Sequence, residues 1–218
     1  MSKIIDYGFL FQTMFGTSKT NATGSFKLSQ LSNSSVQAQL KAAGIDTSSK
    51  QYKAVIQSMS AACKGIGYTN IQAIKNRMSR YDSDGDYISP VTGMAGLVVT
   101  EKNRAEKEKI ISIPESSRDE MFELTKQEFL RENGVGNGDT TKRSDVYLNL
   151  YRKMDKNDRL AAGNILRQYE QAYTQAFVNA VKAVDPKWKP GKPIPAGALD
   201  GITRESVENQ RKSVDMKV

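Results

Sequence analysis

The chain has 218 residues, with 32 Lys and Arg against 24 Asp and Glu, a formal net charge of +8, one cysteine and no histidine. The missing imidazole excludes Ser-His-Asp and Cys-His catalysis, His-ligated zinc and a histidine pH switch, and a lone cysteine excludes an internal disulfide framework. The 38% apolar share can form a core, and no apolar run approaches the ~20 residues that cross a bilayer.

In chain order, "MSKIIDYGFLFQTMFG" comes first and groups Tyr7, Phe9, Phe11 and Phe15. Asp6 interrupts it, its apolar block is short, and no small-residue cleavage site follows. We therefore expect a cytoplasmic protein, or one exported without a cleaved signal peptide. The next stretch, "GTSKTNATGSFKLSQLSNSS", is too rich in Ser, Thr, Asn and Gly to order itself. Residues 1–34 read as an aromatic tag on a flexible tether. The tag docks either on its own domain or on a partner, which makes Tyr7, Phe9, Phe11 and Phe15 candidate partner-binding residues.

A helical body is expected over 35–184. "SVQAQLKAAG" spaces Val36 and Leu40 four apart and ends at Gly44, a natural C-cap. "SSKQYKAVIQSMSAACKG" puts Tyr52, Val55, Ile56, Met59 and Cys63 on one face, with Ser48 or Ser49 as cap. Cys63 reads as a small buried hydrophobe. "TNIQAIKNRMSRY" repeats the pattern with Ile71, Ile74, Met78 and Tyr81. After an acidic loop, the apolar run "MAGLVV" is too short to separate strand from buried helical turn. "EKNRAEKEK" alternates sign and predicts a solvated helix over about 101–112, capped by Thr100 and broken by Pro114. The positive excess is likewise spread, +3 over 1–50, +3 over 51–109, −1 over 110–170 and +3 over 171–218. Phosphate-binding surfaces cluster their Lys and Arg, so nucleic acid is not the expected partner.

"ESSRDEMFELTKQEFLRENG" predicts a helix with Met121, Phe122, Leu124, Phe129 and Leu130 inward, and with Glu120, Glu123 and Glu128 on a solvated face. A loop at 134–143 and a helix over "SDVYLNLYRKM" follow. The longest signal places Leu166, Tyr169, Tyr173, Phe177 and Val181 three and four apart, a helix of about 27 residues capped at Asn157 or Asp158. Asp185-Pro186 stops it. "PKWKPGKPIPAGALDG" holds four of the six prolines and should run extended. Trp188 either pins this arm to the body or anchors a partner, and it joins the candidate partner-binding residues. "TRESVENQRKSV" predicts a short polar closing helix within an arm of 185–218.

"RYDSDGDYISP" carries the most specific chemistry. Asp82, Asp84 and Asp86 alternate after a helix with an apolar face, and take positions 1, 3 and 5 of an EF-hand-like loop. The Ile88 backbone carbonyl would serve at position 7. Position 6 is Tyr87 where glycine belongs, and position 12 is Gly93 where a bidentate glutamate belongs. This is half of an EF-hand, so calcium would bind weakly. The alternative is an acidic Asx turn with its carboxylates in water. Asp155, Asn157 and Asp158 form a fainter echo that helix capping explains.

Three blocks, "FLFQTMFG", "YDSDGDYISPVTGMAG" and "RLAAGNILRQYEQAYTQAF" with "ALDGITRESVEN", together resemble a helical domain-of-unknown-function family from gut Firmicutes. That resemblance implies a bacterial source and no catalytic residue. The fold class expected is all-α: an irregular multi-helix bundle with one long C-terminal helix, a short strand pair near 87–99, and extended arms at both ends. The function expected is a non-enzymatic interaction or assembly protein with a calcium loop, self-associating or binding a protein partner without a membrane. The alternatives are a monomeric calcium-responsive regulator and a weak nucleic-acid binder.

Overall fold

The computed structural model describes residues 24–63, 66–100 and 103–215, with side chains described as far as Asn209. The fold is all-α, with a two-stranded antiparallel ribbon. The chain divides into two compact units with the boundary between Leu97 and Val98. That boundary falls inside the stretch read as one helical body. The aromatic tag, Tyr7 to Phe15, lies outside the described residues.

In the first unit, β1 (Phe26–Lys27) pairs with β2 (Tyr68–Thr69). A 3-10 turn at Leu28–Gln30 leads into α1 (Ser34–Ala42), then α2 (Lys50–Ala62) and α3 (Ile71–Met78). Phe26, Leu28 and Leu31 are buried with Val36, Leu40, Tyr52, Val55, Met59 and Ile74. The last third of the expected tether is therefore core, because its three apolar side chains reach the face that α1 and α2 leave open. Ser49 caps α2 by accepting the Tyr52 N–H. Gly44 ends α1 at φ +80°, with the Ile45 N–H returning to the Leu40 carbonyl at 3.0 Å.

The strand pair expected near 87–99 is not there. Ser89 N–H bonds the Met94 carbonyl and Gly93 N–H bonds the Ser89 carbonyl, so the chain turns on itself at Gly93 (φ +68°). The pairing lies instead at 26–27 and 68–69, with an isolated antiparallel bridge between Tyr81 and Tyr87. Cys63 is exposed, which corrects its reading as a buried hydrophobe. Its position follows the last turn of α2, beyond the buried face that ends at Met59.

The second unit is built on α6 (Arg159–Val184), whose 26 residues span about 39 Å. Against it pack α4 (Glu115–Arg131), α5 (Thr141–Lys153) and α7 (Arg204–Asp215). Leu166, Tyr173, Phe177 and Val181 are fully buried, as the spacing predicts. Phe122 meets Tyr173 edge-on at 5.1 Å between ring centroids. The Tyr151 hydroxyl sits where a side chain at Gly163 would begin, so α5 approaches α6 closely.

Three expectations are corrected here. The charged helix over 101–112 is reduced, among the described residues, to a 3-10 turn at Arg104–Glu108, because its alternating charges offer no apolar stripe to bury. Glu128 is buried rather than solvated, and it pairs with Arg143 of α5. Trp188 is 1% exposed and belongs to the core of its own unit, so it is not an exposed partner anchor. Its ring packs on Phe129, its Nε1 donates to the Lys192 carbonyl at 2.9 Å, and Gly191 N–H ties the arm to the Asn133 carbonyl at 2.8 Å. The Pro-rich segment thus folds back onto the helices.

Candidate metal centre

The acid loop begins where α3 ends. Tyr81 N–H bonds the Met78 carbonyl, finishing the helix in a tight turn. Gln51 reaches across from α2 and its Nε2 donates to both the Met78 carbonyl (2.8 Å) and the Tyr81 carbonyl (2.7 Å). One neighbouring side chain thereby holds two carbonyls of the helix end, the Met78 one in addition to its bond from Tyr81. The Tyr81–Tyr87 bridge then closes the loop, with the two rings edge to face at 5.5 Å. Ile88 N–H donates to the Arg80 carbonyl at 2.8 Å, which continues the pairing.

Inside the closed loop the backbone is fixed by its first aspartate. Asp82 Oδ1 accepts the N–H of Asp84 at 3.0 Å and of Asp86 at 2.9 Å. Asp82 N–H bonds the Asp86 carbonyl and Gly85 N–H bonds the Asp82 carbonyl, both at 3.0 Å. Gly85 takes φ +85°, and a Cβ there would lie 2.9 Å from the Lys50 carbonyl oxygen. Only glycine serves at this point, on conformation and on space. The loop rests on the first turn of α2, and Lys50 Nζ stands 3.6 Å from Asp84 Oδ1 with both side chains largely in water.

This geometry brings Asp82, Asp84 and Asp86 together, each with a carboxylate oxygen within 4.8 Å of the others. Ligands at 2.3–2.6 Å on opposite sides of a calcium ion stand about 5 Å apart, so the spread fits oxygens shared by one ion. Asp84 is exposed and Asp82 and Asp86 are half-buried, which leaves room for water in the remaining positions. Ile88, the fourth residue expected, sits just past the bridge. A carboxylate-only donor set of this kind could hold a metal ion. Asp155 precedes and Asp158 ends the 3-10 turn before α6, but neither side chain makes the capping hydrogen bond expected of it; Asp158 instead pairs with Lys109 at 3.3 Å.

Sequence reasoning missed a second charged assembly, in the other unit. Arg204, buried on α7, pairs with Glu115 (2.5 Å), Asp119, Glu205 (2.8 Å) and Glu208 (3.0 Å). Glu208 also takes Arg118 and the Tyr173 hydroxyl, the latter at 2.6 Å. Burial, reinforced by Glu208, pushes the Tyr173 phenol well above its ordinary range. Every charge here is answered by protein groups, so the assembly locks α7 to α4 and α6. Its sequence signal was Arg204 and Glu208 four apart around Val207, within a stretch that otherwise looks uniformly polar.

No described helix is long and apolar enough to cross a membrane. A family model described as a domain of unknown function matches residues 45–218. No curated protein and no solved structure matches the chain.

Proposed function

The chain belongs to the DUF3879 family, a domain of unknown function, and we propose that it is a non-enzymatic interaction protein whose first unit carries a calcium-holding loop. The observation that carries the reading is the convergence of the Asp82, Asp84 and Asp86 carboxylates on a loop already tied to α2 by Gln51. Three like charges this close repel one another, and a divalent cation relieves that repulsion. The proposed ligands are these carboxylates, the Ile88 carbonyl and water. Binding would hold the loop against α2 and set the surface that a protein partner or a second copy meets. Tyr7, Phe9, Phe11 and Phe15 remain the proposed contact residues, by their composition.

The test is calcium titration into chelator-treated full chain, followed by melting and by sizing. Saturable binding with a rise in melting temperature supports the reading. A shift of shape without any change of partner or oligomeric state would favour the monomeric calcium-responsive regulator. Binding to DNA or RNA that weakens steeply with salt would favour the nucleic-acid reading.

A further inference from the structure

We propose that residues 182–192, a lysine-bearing pole of the second unit, dock an acidic segment of a partner protein that carries small apolar side chains among its carboxylates. The surface lies outside the unit that holds the acid loop and goes beyond the calcium reading. Lys182, Lys187, Lys189 and Lys192 stand here against Asp185 alone. The segment expected to run extended begins instead with two successive turns. Trp188 N–H bonds the Asp185 carbonyl at 3.0 Å, and Lys192 N–H bonds the Lys189 carbonyl at 3.1 Å. Pro186 and Pro190 take the second place in each turn, and Gly191, at φ +92°, takes the third place of the latter. Trp188, buried where the turns meet, and the Gly191 bond to Asn133 fix both turns to the core. The lysines are thus set on a backbone that loses little freedom on binding.

All four lysines are exposed, and among the described residues none of them forms an ion pair. Asp185 Oδ1 accepts the Lys187 N–H at 2.9 Å. By contrast Lys109, Arg118, Arg143 and Arg204 of the same unit all meet carboxylates. The dipole of α6 accounts for Lys182 in its last turn, but its effect fades before Lys187, Lys189 and Lys192. Two apolar side chains adjoin them. Val135, 47% exposed, has Cγ2 3.7 Å from where a side chain at Gly191 would begin, and Val184, 59% exposed, ends α6. The complement to this pole is a run of carboxylates with short apolar side chains between them. Its one aromatic ring, Trp188, is buried, which leaves none for nucleic-acid bases to stack on. Four lysines without an acyl chain or an exposed aromatic give only marginal attraction to an anionic bilayer.

The test titrates a fluorescent peptide of alternating glutamate and valine into the full chain, in chelator and at low salt. Saturable binding is expected. The Lys187→Gln, Lys189→Gln, Lys192→Gln triple variant should weaken it about tenfold, with Trp188 emission unchanged. Removing the same charge from the first unit, by Lys41→Gln, Lys53→Gln and Lys75→Gln, should leave affinity within about twofold. Val135→Ser should weaken binding severalfold. Absence of saturable binding, or equal losses in the two triple variants, overturns the proposal. An unmoved affinity in Val135→Ser overturns it as well. Tighter binding of phosphatidylserine vesicles or duplex DNA through the same lysines reassigns the pole and overturns it, as does self-association that the first triple variant abolishes. With calcium chelated throughout, failure here leaves the loop reading standing.

Discussion

Lys50 and Gly85 set the terms on which the acid loop can take a cation. The Lys50 ammonium already stands 3.6 Å from Asp84, in water and with its side chain largely exposed, so the pair contributes little to stability. It nonetheless places a positive charge where a cation must arrive. A unit charge at about 4 Å in water is worth ~1 kcal/mol. Lys50→Gln should therefore tighten calcium binding by roughly fivefold in a titration at low salt. Gly85→Ala should do the reverse. Its backbone sits at φ +85° and its Cβ would press on the Lys50 carbonyl, so the loop must leave α2 at a cost of about 1–3 kcal/mol. Urea unfolding and calcium titration of that variant should both show the loss. In the other unit, burial and Glu208 keep the Tyr173 phenol protonated, and burial and Glu170 do the same at Tyr147. Each raised group retains a proton that the unfolded chain releases near pH 10. Their stabilisation is complete below that pH and falls as pH rises above it, by up to ~1.4 kcal/mol per unit for each phenol. Urea midpoints between pH 8 and 11 should show this decline, and Tyr173→Phe should flatten it while lowering the midpoint at neutral pH.

Among the elements, α7 carries a buried ion-pair assembly beside its core residue Val207. Arg204 and Glu208 lie four apart on it, both buried, and between them they engage α4 and α6. Removing one member of a buried pair costs about 3–5 kcal/mol because its partner stays behind unanswered. Arg204→Met should fall near the lower figure in urea unfolding, since Arg118 still serves Glu208. Arg204→Lys should recover only part, as an ammonium cannot span Glu115, Asp119 and Glu208 together. The elements also divide by what a sequence can announce. The spacing of Leu166, Tyr173, Phe177 and Val181 marked α6 because a long helix repeats its own pattern. The acid loop was legible for the same reason: alternating aspartates are a local signal. The ribbon was not, because two-residue strands carry no alternation and Phe26 finds Thr69 only through the fold. Nor was Glu128, whose burial depends on Arg143 arriving from α5. Trp188 could equally have faced outward until the Pro-rich segment is seen to turn back at Gly191.

At the scale of the whole molecule, the chain forms two compact units, each with its own core. The second is consolidated by aromatic packing around α6 and by the Arg204 assembly. The first carries the ribbon, the exposed Cys63 and the acid loop, and it is there that cation binding is proposed. A weak calcium site, with a Kd on the order of 10⁻⁴–10⁻³ M, adds up to ~2.7 kcal/mol once calcium exceeds Kd a hundredfold. The melting of the first unit should respond to calcium while that of the second does not. The most direct measurement is titration of calcium into chelator-treated full chain, beside a variant with Asp82, Asp84 and Asp86 changed to Asn. The account predicts one ion per chain and no binding by the variant. Absence of saturable binding at millimolar calcium, or equal binding by the variant, would contradict it.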